Sequence, residues 1–297
     1  MPTTVSFAPA RHWRACLFFG LLAVHQELLA AVPIAKPPEL AQVGKPSDKE
    51  AAELISQFRN SGIPGEYFLE FELQALPRRG KKQTFKGRWW GSRNEQGVLL
   101  RIEIPDAAGN PHRFLLQNGE KAKVWRWSQG RAAELSVAGL MSPLVPGVEI
   151  SAFDLQMPYL YWPGVSVQKI TRSVLGRPAH AFLFPVPADF AAQHRDISAM
   201  RAYLDTAYNV PVQTELLDAK GKVSKTLSLL SLKTVNPPGQ TLPKTADYFN
   251  EVTRDKTRLQ ITGAALKLEL PESTFAPGSL EQPASPPPAA QIVRIER

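Results

Sequence analysis

Apolar residues recur at every second position through most of this chain, and that period admits strands and little else. Between Tyr67 and Leu73, Tyr67, Leu69, Phe71 and Leu73 share one face, while Glu70 and Glu72 point the other way. Val98, Leu100, Ile102 and Ile104 repeat the pattern, with Arg101 and Glu103 opposite. Gln83–Trp90, His112–Gln117 and Lys121–Trp127 complete a first series, and Asn118-Gly119 is a strong hairpin signal between the last two. Strand signals resume at Val165–Val174, His180–Val186, Ala199–Thr206, Val212–Leu217, Lys222–Thr234, Thr245–Val252 and Arg258–Leu268. One helix precedes them: Ser47 and Glu50 form a capping box, and Ala51, Leu54, Ile55 and Phe58 make its apolar stripe. Roughly ten or eleven successive strands predict a mainly β protein with few helices, folded as a single strongly curved antiparallel sheet. The 27 prolines suit strands separated by loops and argue against a helical bundle.

Four segments follow from composition. Residues 1–31 read as an export signal: Arg11 and Arg14 precede the apolar run Ala15–Val24, and small residues close it at Ala30-Ala31. The run is short of the about 20 residues a spanning helix needs. An uncleaved N-terminal anchor is the alternative. Residues 32–46 read as a linker, 47–281 as the folded domain, and 282–297 as a disordered Pro/Ala-rich tail. The single cysteine, Cys16, falls within the signal, which excludes a disulfide framework or a Cys-rich zinc site in the exported part. Arg11, Arg14 and Glu27 give the signal one net positive charge, so the remainder keeps +7 of the formal +8. An exported protein rarely meets nucleic acid, so this charge suits anionic membrane surfaces or acidic partners. Arg78-Arg79-Gly80-Lys81-Lys82 is its densest run. It reads as a solvated loop, or as a contact for anionic lipid head groups.

Catalytic signatures are missing from the sequence: it has no nucleophile elbow, no zinc-binding His-Glu-x-x-His and no glycine-rich phosphate or dinucleotide loop. His112, His180 and His194 are isolated in sequence, and His194-Arg195-Asp196 reads as a solvated loop. No catalytic residue, metal ligand or cofactor is assigned, and the expectation is a protein that is not an enzyme.

The informative excess is apolar. Tyr67, Leu69, Phe71, Phe85, Trp89, Leu100, Ile102, Trp125 and Trp127 are assigned to the concave face of the sheet. Met141, Leu144, Phe153, Leu155, Met157, Leu160 and Trp162, in a Gly/Met/Pro-rich stretch with a short helix, are assigned to a lid across that face. An ordinary filled core and a ligand cavity both account for them.

Several stretches resemble the LolA-type outer-membrane lipoprotein-sorting family. They are the opening helix with Tyr67-Phe68-Leu69-Glu70-Phe71; Phe85-Lys86-Gly87-Arg88-Trp89-Trp90 before Val98–Ile104; Asn118-Gly119-Glu120-Lys121 before Val124-Trp125; Ile150-Ser151-Ala152-Phe153-Asp154-Leu155; and Leu270-Pro271-Glu272-Ser273-Thr274-Phe275. The resemblance spans about residues 47–281. It implies an unclosed β-barrel with helices over the concave side, and a non-enzymatic carrier of lipoprotein acyl chains or other lipids. A membrane transporter or an outer-membrane receptor would be its partner. It also implies a lid-latching arginine after the second strand, for which Arg93 is the nearest match. A regulatory or scaffold protein of the same fold is the alternative. The chain departs from compact carriers by an extended loop at Pro187–Ser198.

Overall fold

The structure, a computed structural model, describes residues 46–128, 130–168, 172–174, 177–206, 210–235 and 239–296. The expected export signal and nearly all of the expected linker lie outside the described residues. Helix α1 (Asp48–Asn60) starts where the sequence places it. The Ser47 side chain accepts from the Glu50 N–H, and the Glu50 carboxylate accepts from the Ser47 N–H at 2.7 Å.

Six strands follow as a meander: β1 (Glu66–Leu76), β2 (Gln83–Asn94), β3 (Gly97–Pro105), β4 (Pro111–Gln117), β5 (Lys123–Ser128) and β6 (Arg131–Glu134). The chain then crosses the sheet through α2 (Val137–Leu140), α3 (Ala152–Gln156) and a 3-10 turn, Pro158–Tyr161. It returns as β7 (Ser166–Val167), β8 (Arg172–Val174), β9 (Arg177–Pro185), α4 (Ala188–Gln193), β10 (Ile197–Asp205), β11 (Pro211–Asp218), β12 (Val223–Val235), β13 (Gln240–Asn250) and β14 (Lys256–Leu268). A last short strand, β15 (Val293–Arg294), follows three 3-10 turns.

All fifteen strands belong to one antiparallel sheet, ordered β6-β5-β4-β3-β2-β1-β14-β13-β12-β11-β10-β9-β7, with β15 on β14 and β8 on β9. Two meanders therefore meet along β1 and β14, from Leu76 opposite Lys256 to Glu66 opposite Leu268. The far strands β6 and β7 are not joined, so the sheet is an unclosed barrel. The expected strand Val165–Val174 is split into β7 and β8. The expected loop Pro187–Ser198 carries α4, whose Phe190 is buried.

The inner face is the one covered by α1 and the 137–162 crossover. Tyr67, Leu69, Phe71 and Leu73 of β1 lie in its core with Phe85, Leu100, Ile102, Phe114 and Ile261. Two glycines make room for the aromatics of β1. Gly87 and Gly91 sit opposite Phe71 and Tyr67, and a Cβ on either would fall 2.2 or 2.0 Å from the facing ring.

The outer face is not wet throughout. Phe68, Trp90 and Ala265 are buried there beneath residues 270–292. The tail expected to be disordered instead runs along this face. Arg101, 2% exposed, donates to the carbonyls of Thr274 (3.2 Å), Ser279 (3.1 Å) and Gln282 (2.5 Å), and to Ser279 Oγ (2.8 Å). Arg113 Nη1 donates to the carbonyls of Leu280 (3.0 Å) and Glu281 (2.9 Å), and the Ala284 N–H donates to Glu103 (2.8 Å). Proline removes backbone donors but leaves carbonyls. Two buried guanidiniums from the sheet satisfy the carbonyls of residues 274–282. Past them the proline-rich segment is held by the Ala284 N–H, by the Ser285 carbonyl, which accepts from Trp90 Nε1 at 3.3 Å, and by β15 on β14.

Candidate functional site

The crossover spans both halves of the inner face. Leu144, Val145, Val148 and Ile150 pack on the β1–β5 half, joined by Leu140 and Leu155. Phe153, Tyr159, Leu160 and Trp162, with Met141 and Met157 beside them, pack on α1, β9 and β10. Phe153 is the hub of an aromatic cluster, with ring centroids 6.0 Å from Tyr159, 6.0 Å from Trp162 and 5.5 Å from Phe190. A chain reversal makes this turn possible. Ser151 and Asp154 cap α3 reciprocally, and Met157 then takes a left-handed conformation (φ 51°) that starts the 3-10 turn. That conformation is unusual for a residue other than glycine and marks a strained joint. Burial raises the Tyr67 phenol to about 12 and pushes the Tyr159 phenol up as well, so both rings stay neutral at any working pH.

Polar contacts hold the cover at separate points. The Arg59 guanidinium at the end of α1 donates to the Leu160 carbonyl through Nε at 2.7 Å and through Nη2, and stacks on the Tyr161 ring at 4.7 Å. The Lys225 ammonium of β12 pairs with Asp154 at 2.5 Å, with both side chains mostly buried. The Gln156 amide donates to the carbonyls of Gln117 (2.9 Å) and Lys123 (3.1 Å). The Glu149 N–H donates to Thr257 Oγ1 at 2.7 Å. His194, expected in a solvated loop, is half-buried and donates from Nε2 to the Val137 carbonyl at 3.1 Å, stacked on Phe190.

The hydrogen bonds of Arg93 go to α1. Its guanidinium donates to the carbonyls of Arg59 (3.2 Å) and Ser61 (3.1 Å), tying the end of β2 to the C-terminal end of α1. The arginine that bonds the 137–162 crossover directly is Arg59, which sequence reasoning missed: in the linear chain it reads only as a cation in the last turn of a helix. Lys225 was missed because a single lysine within a strand carries no local sign of its partner Asp154, 71 residues earlier.

Of the residues assigned to the concave face, Tyr67, Leu69, Phe71, Phe85, Leu100 and Ile102 are buried in the inner core, and Trp89 packs against it. Trp125 and Trp127 are not there. The register runs from Phe68 to Trp90, Arg101, Leu115 and Trp125, and from Arg113 to Trp127, which places both on the outer face. Arg113 lies over the Trp127 ring at 4.6 Å. The inward positions of β5 are Val124 and Arg126. His112, isolated in sequence, accepts from Arg126 Nη2 at 3.0 Å and faces Asp106 at 3.4 Å. Among the described residues no cluster of three His, Cys, Asp or Glu is placed to hold a metal. No helix there is long and apolar enough to cross a membrane.

An open antiparallel barrel whose inner apolar face is roofed by a latched crossover is a recognisable architecture. The chain is similar to a candidate outer membrane lipoprotein-sorting protein domain from Vibrio parahaemolyticus, with 18% identity and a TM-score of 0.64 over 77% of this chain and 97% of that one. It is also similar to a DUF1329 family protein from Desulfovibrio piger, at 12% identity and TM-score 0.62 over 82% and 98%. A LolA superfamily protein from Nitrosomonas europaea gives 11% identity and TM-score 0.56 over 76% and 97%. The fold is LolA-like. No family model and no curated protein matches the sequence.

Proposed function

We propose that this protein is an exported, non-enzymatic carrier that holds the acyl chains of a lipoprotein or another lipid between the inner face of its sheet and the 137–162 crossover. One observation carries the reading: a continuous apolar face is covered by a segment tied down at discrete polar points. Charge-assisted hydrogen bonds such as those of Arg59 contribute about 1.5–3 kcal/mol each. An acyl chain offers about 0.8 kcal/mol per buried methylene, so a long chain outweighs the loss of several latches. The likeness to a lipoprotein-sorting domain supports the same reading. Met141 and Met157 at the edge of the cover suit a surface that repacks around chains of different shape. Periplasmic location, a donor transporter and an outer-membrane receptor follow from it.

Mass spectrometry of gently purified protein should find a co-purifying lipid. A fluorescent fatty-acyl probe should bind saturably and be lost in Leu155→Asp, which puts a charge beneath the cover. A lipid-free protein that also ignores the probe sinks the carrier reading. The scaffold alternative needs the aromatic residues of the crossover on the surface, yet Tyr159 and Trp162 are 2% and 9% exposed.

A further inference from the structure

The two halves of the sheet do not stay zipped along β13 and β14. β13 pairs with β14 only from Thr245 opposite Gln260 to Phe249 opposite Lys256. Beyond that point β13 continues with β12 alone, to Gln240 opposite Val235, while β14 continues with β1. The edge of β14 that β13 leaves is taken by β15, with Arg294 opposite Gly263 and Val293 opposite Ala264. The Ile295 N–H then donates to the Thr262 carbonyl at 3.0 Å.

The seat has a defined chemistry. Glu70, Gly263 and Arg294 form one row, so Arg294 lies on the outer face, and its guanidinium pairs with the Glu70 carboxylate. Gly263 carries no side chain beneath that pair, and a Cβ there would fall 2.9 Å from Glu70 Oε2 and 3.0 Å from Ile292. Leu69, Ala264 and Val293 form the next row, in which Leu69 and Ala264 are buried in the inner core and Val293, at the open edge, is 38% exposed. Alternation sends Ile295 inward, and it is 4% exposed within the core that contains Leu69 and Phe71. The fork therefore selects an extended cation–apolar pair: Ile295 plugs the core and Arg294 meets a carboxylate outside, while Val293 stays largely at the surface.

The occupant is held lightly. Its ladder has two residue pairs, whereas β1 and β14 pair over their whole lengths. Upstream, Arg101 and Arg113 anchor residues 274–282 independently, and Pro283 and Pro286–Pro288 separate that anchor from β15. The end of the tail can thus leave without dislodging the rest. Its departure bares the backbone groups of β14 and an apolar gap, the two features an added strand satisfies.

We infer that the fork between β13 and β14 is a docking site for an extended partner peptide with a basic residue followed by an apolar one, closed in the isolated chain by Arg294-Ile295. This goes beyond the carrier reading and stands without it. The test uses the full chain and a fluorescein-labelled peptide of sequence Gln-Ile-Val-Arg-Ile-Glu. The Ile295→Asp chain should bind it saturably, and the parent chain about tenfold more weakly or worse because its own tail competes. Glu70→Lys in the Ile295→Asp background should abolish binding, and a probe with Glu in place of its Arg should restore it. Binding indifferent to those charges overturns the proposal, as does no binding by a folded Ile295→Asp chain. A dimer that exchanges β15 also overturns it, by assigning the fork to a second copy. If Ile295→Asp fails to fold, hydrogen exchange on the parent decides. The Ile295 amide should exchange faster than the amides of Leu259 and Ile261; equal protection refutes a displaceable strand.

Discussion

Single side chains divide this protein into contacts that matter and contacts that only look alike. Arg101 and Lys123 both sit in ion pairs, yet their surroundings differ. Arg101 is enclosed by residues 274–282, pairs with Glu103 at 2.7 Å and satisfies four further acceptors, whereas Lys123 and Glu134 pair at 3.0 Å with about half of each side chain in water. Removing one partner of a buried pair costs about 3–5 kcal/mol. An exposed pair is worth about 0–1 kcal/mol. Urea unfolding should therefore show Arg101→Leu destabilised by about 3 kcal/mol and Lys123→Ala nearly unchanged. Equal effects would mean that residues 274–282 do not bury Arg101. Asp106 gives a second prediction at this scale. The Asn110 side-chain amide, then the Asn110 N–H, hold its carboxyl at about 2, with His112 and the Ala108 N–H adding to the effect. A carboxylate whose folded pKa is depressed adds stability above its unfolded value, near 3.9, and loses it as pH falls through the folded value. Asp106→Asn should thus flatten the drop in melting temperature between about pH 4 and pH 2. An unchanged acid limb would show that the turn opens before Asp106 titrates.

At the scale of elements, the pairing of β1 with β2 depends on rings lying over glycines. A methyl group at position 91 would stand 2.0 Å from the Tyr67 ring, so the aromatic must leave its rotamer or the strands must part. Overpacking of this kind costs about 1–3 kcal/mol. Gly91→Ala should lose about 2 kcal/mol in a chemical melt, and Gly91→Ala with Tyr67→Leu should recover part of it. No recovery would place the strain in the backbone. The same strands show why some of the fold was legible and some was not. β1 and β3 show their inward residues at every second position, Tyr67 to Leu73 and Val98 to Ile104, and periodicity reads that directly. β5 defeats the rule: its inward positions are Val124 and Arg126, while Trp125 and Trp127 point outward, and the turn Pro277–Glu281 packs across that outer face. A strand covered on both sides has no wet side to betray its orientation. The tail misled for a related reason. Prolines signal a segment without a ladder, but nothing local reveals that Glu103 and Trp90, well over a hundred residues earlier, bond Ala284 and Ser285, or that β15 pairs with β14. The latch was half legible: a family pattern points to Arg93, whereas Arg59 reaches the cover only because α1 ends beside Leu160.

For the whole molecule, the antiparallel order decides which turns share an end. β1 and β14 are neighbours, so the β1–β2 turn lies beside the β13–β14 turn, and the Arg78 N–H donates to Asp255 at 2.8 Å between them. This brings the exposed Arg78, Arg79, Lys81 and Lys82 next to Arg254 and Val252, and Val252 at 78% is the most exposed large apolar residue described. Glu251 and Asp255 are the only acids in the two turns, and Arg254 already engages Glu251 at 2.7 Å. The proposed carrier role would bring the protein to membranes, and a cationic tip with one apolar residue fits the surface of an anionic bilayer. Each cation near such a surface contributes about 1 kcal/mol, screened within a Debye length. Liposome flotation should therefore show binding to vesicles rich in phosphatidylglycerol, little binding to phosphatidylcholine, and release in high salt. Lys81→Glu with Lys82→Glu should weaken binding about tenfold or more, whereas Lys121→Glu, in the turn between β4 and β5 at the opposite end of the strands, should not. Val252→Asp should lower the fraction bound while leaving the melting temperature unchanged, since its side chain stands in solvent. Equal losses from Lys81/Lys82 and from Lys121 would reduce the effect to net charge and leave the tip without a role.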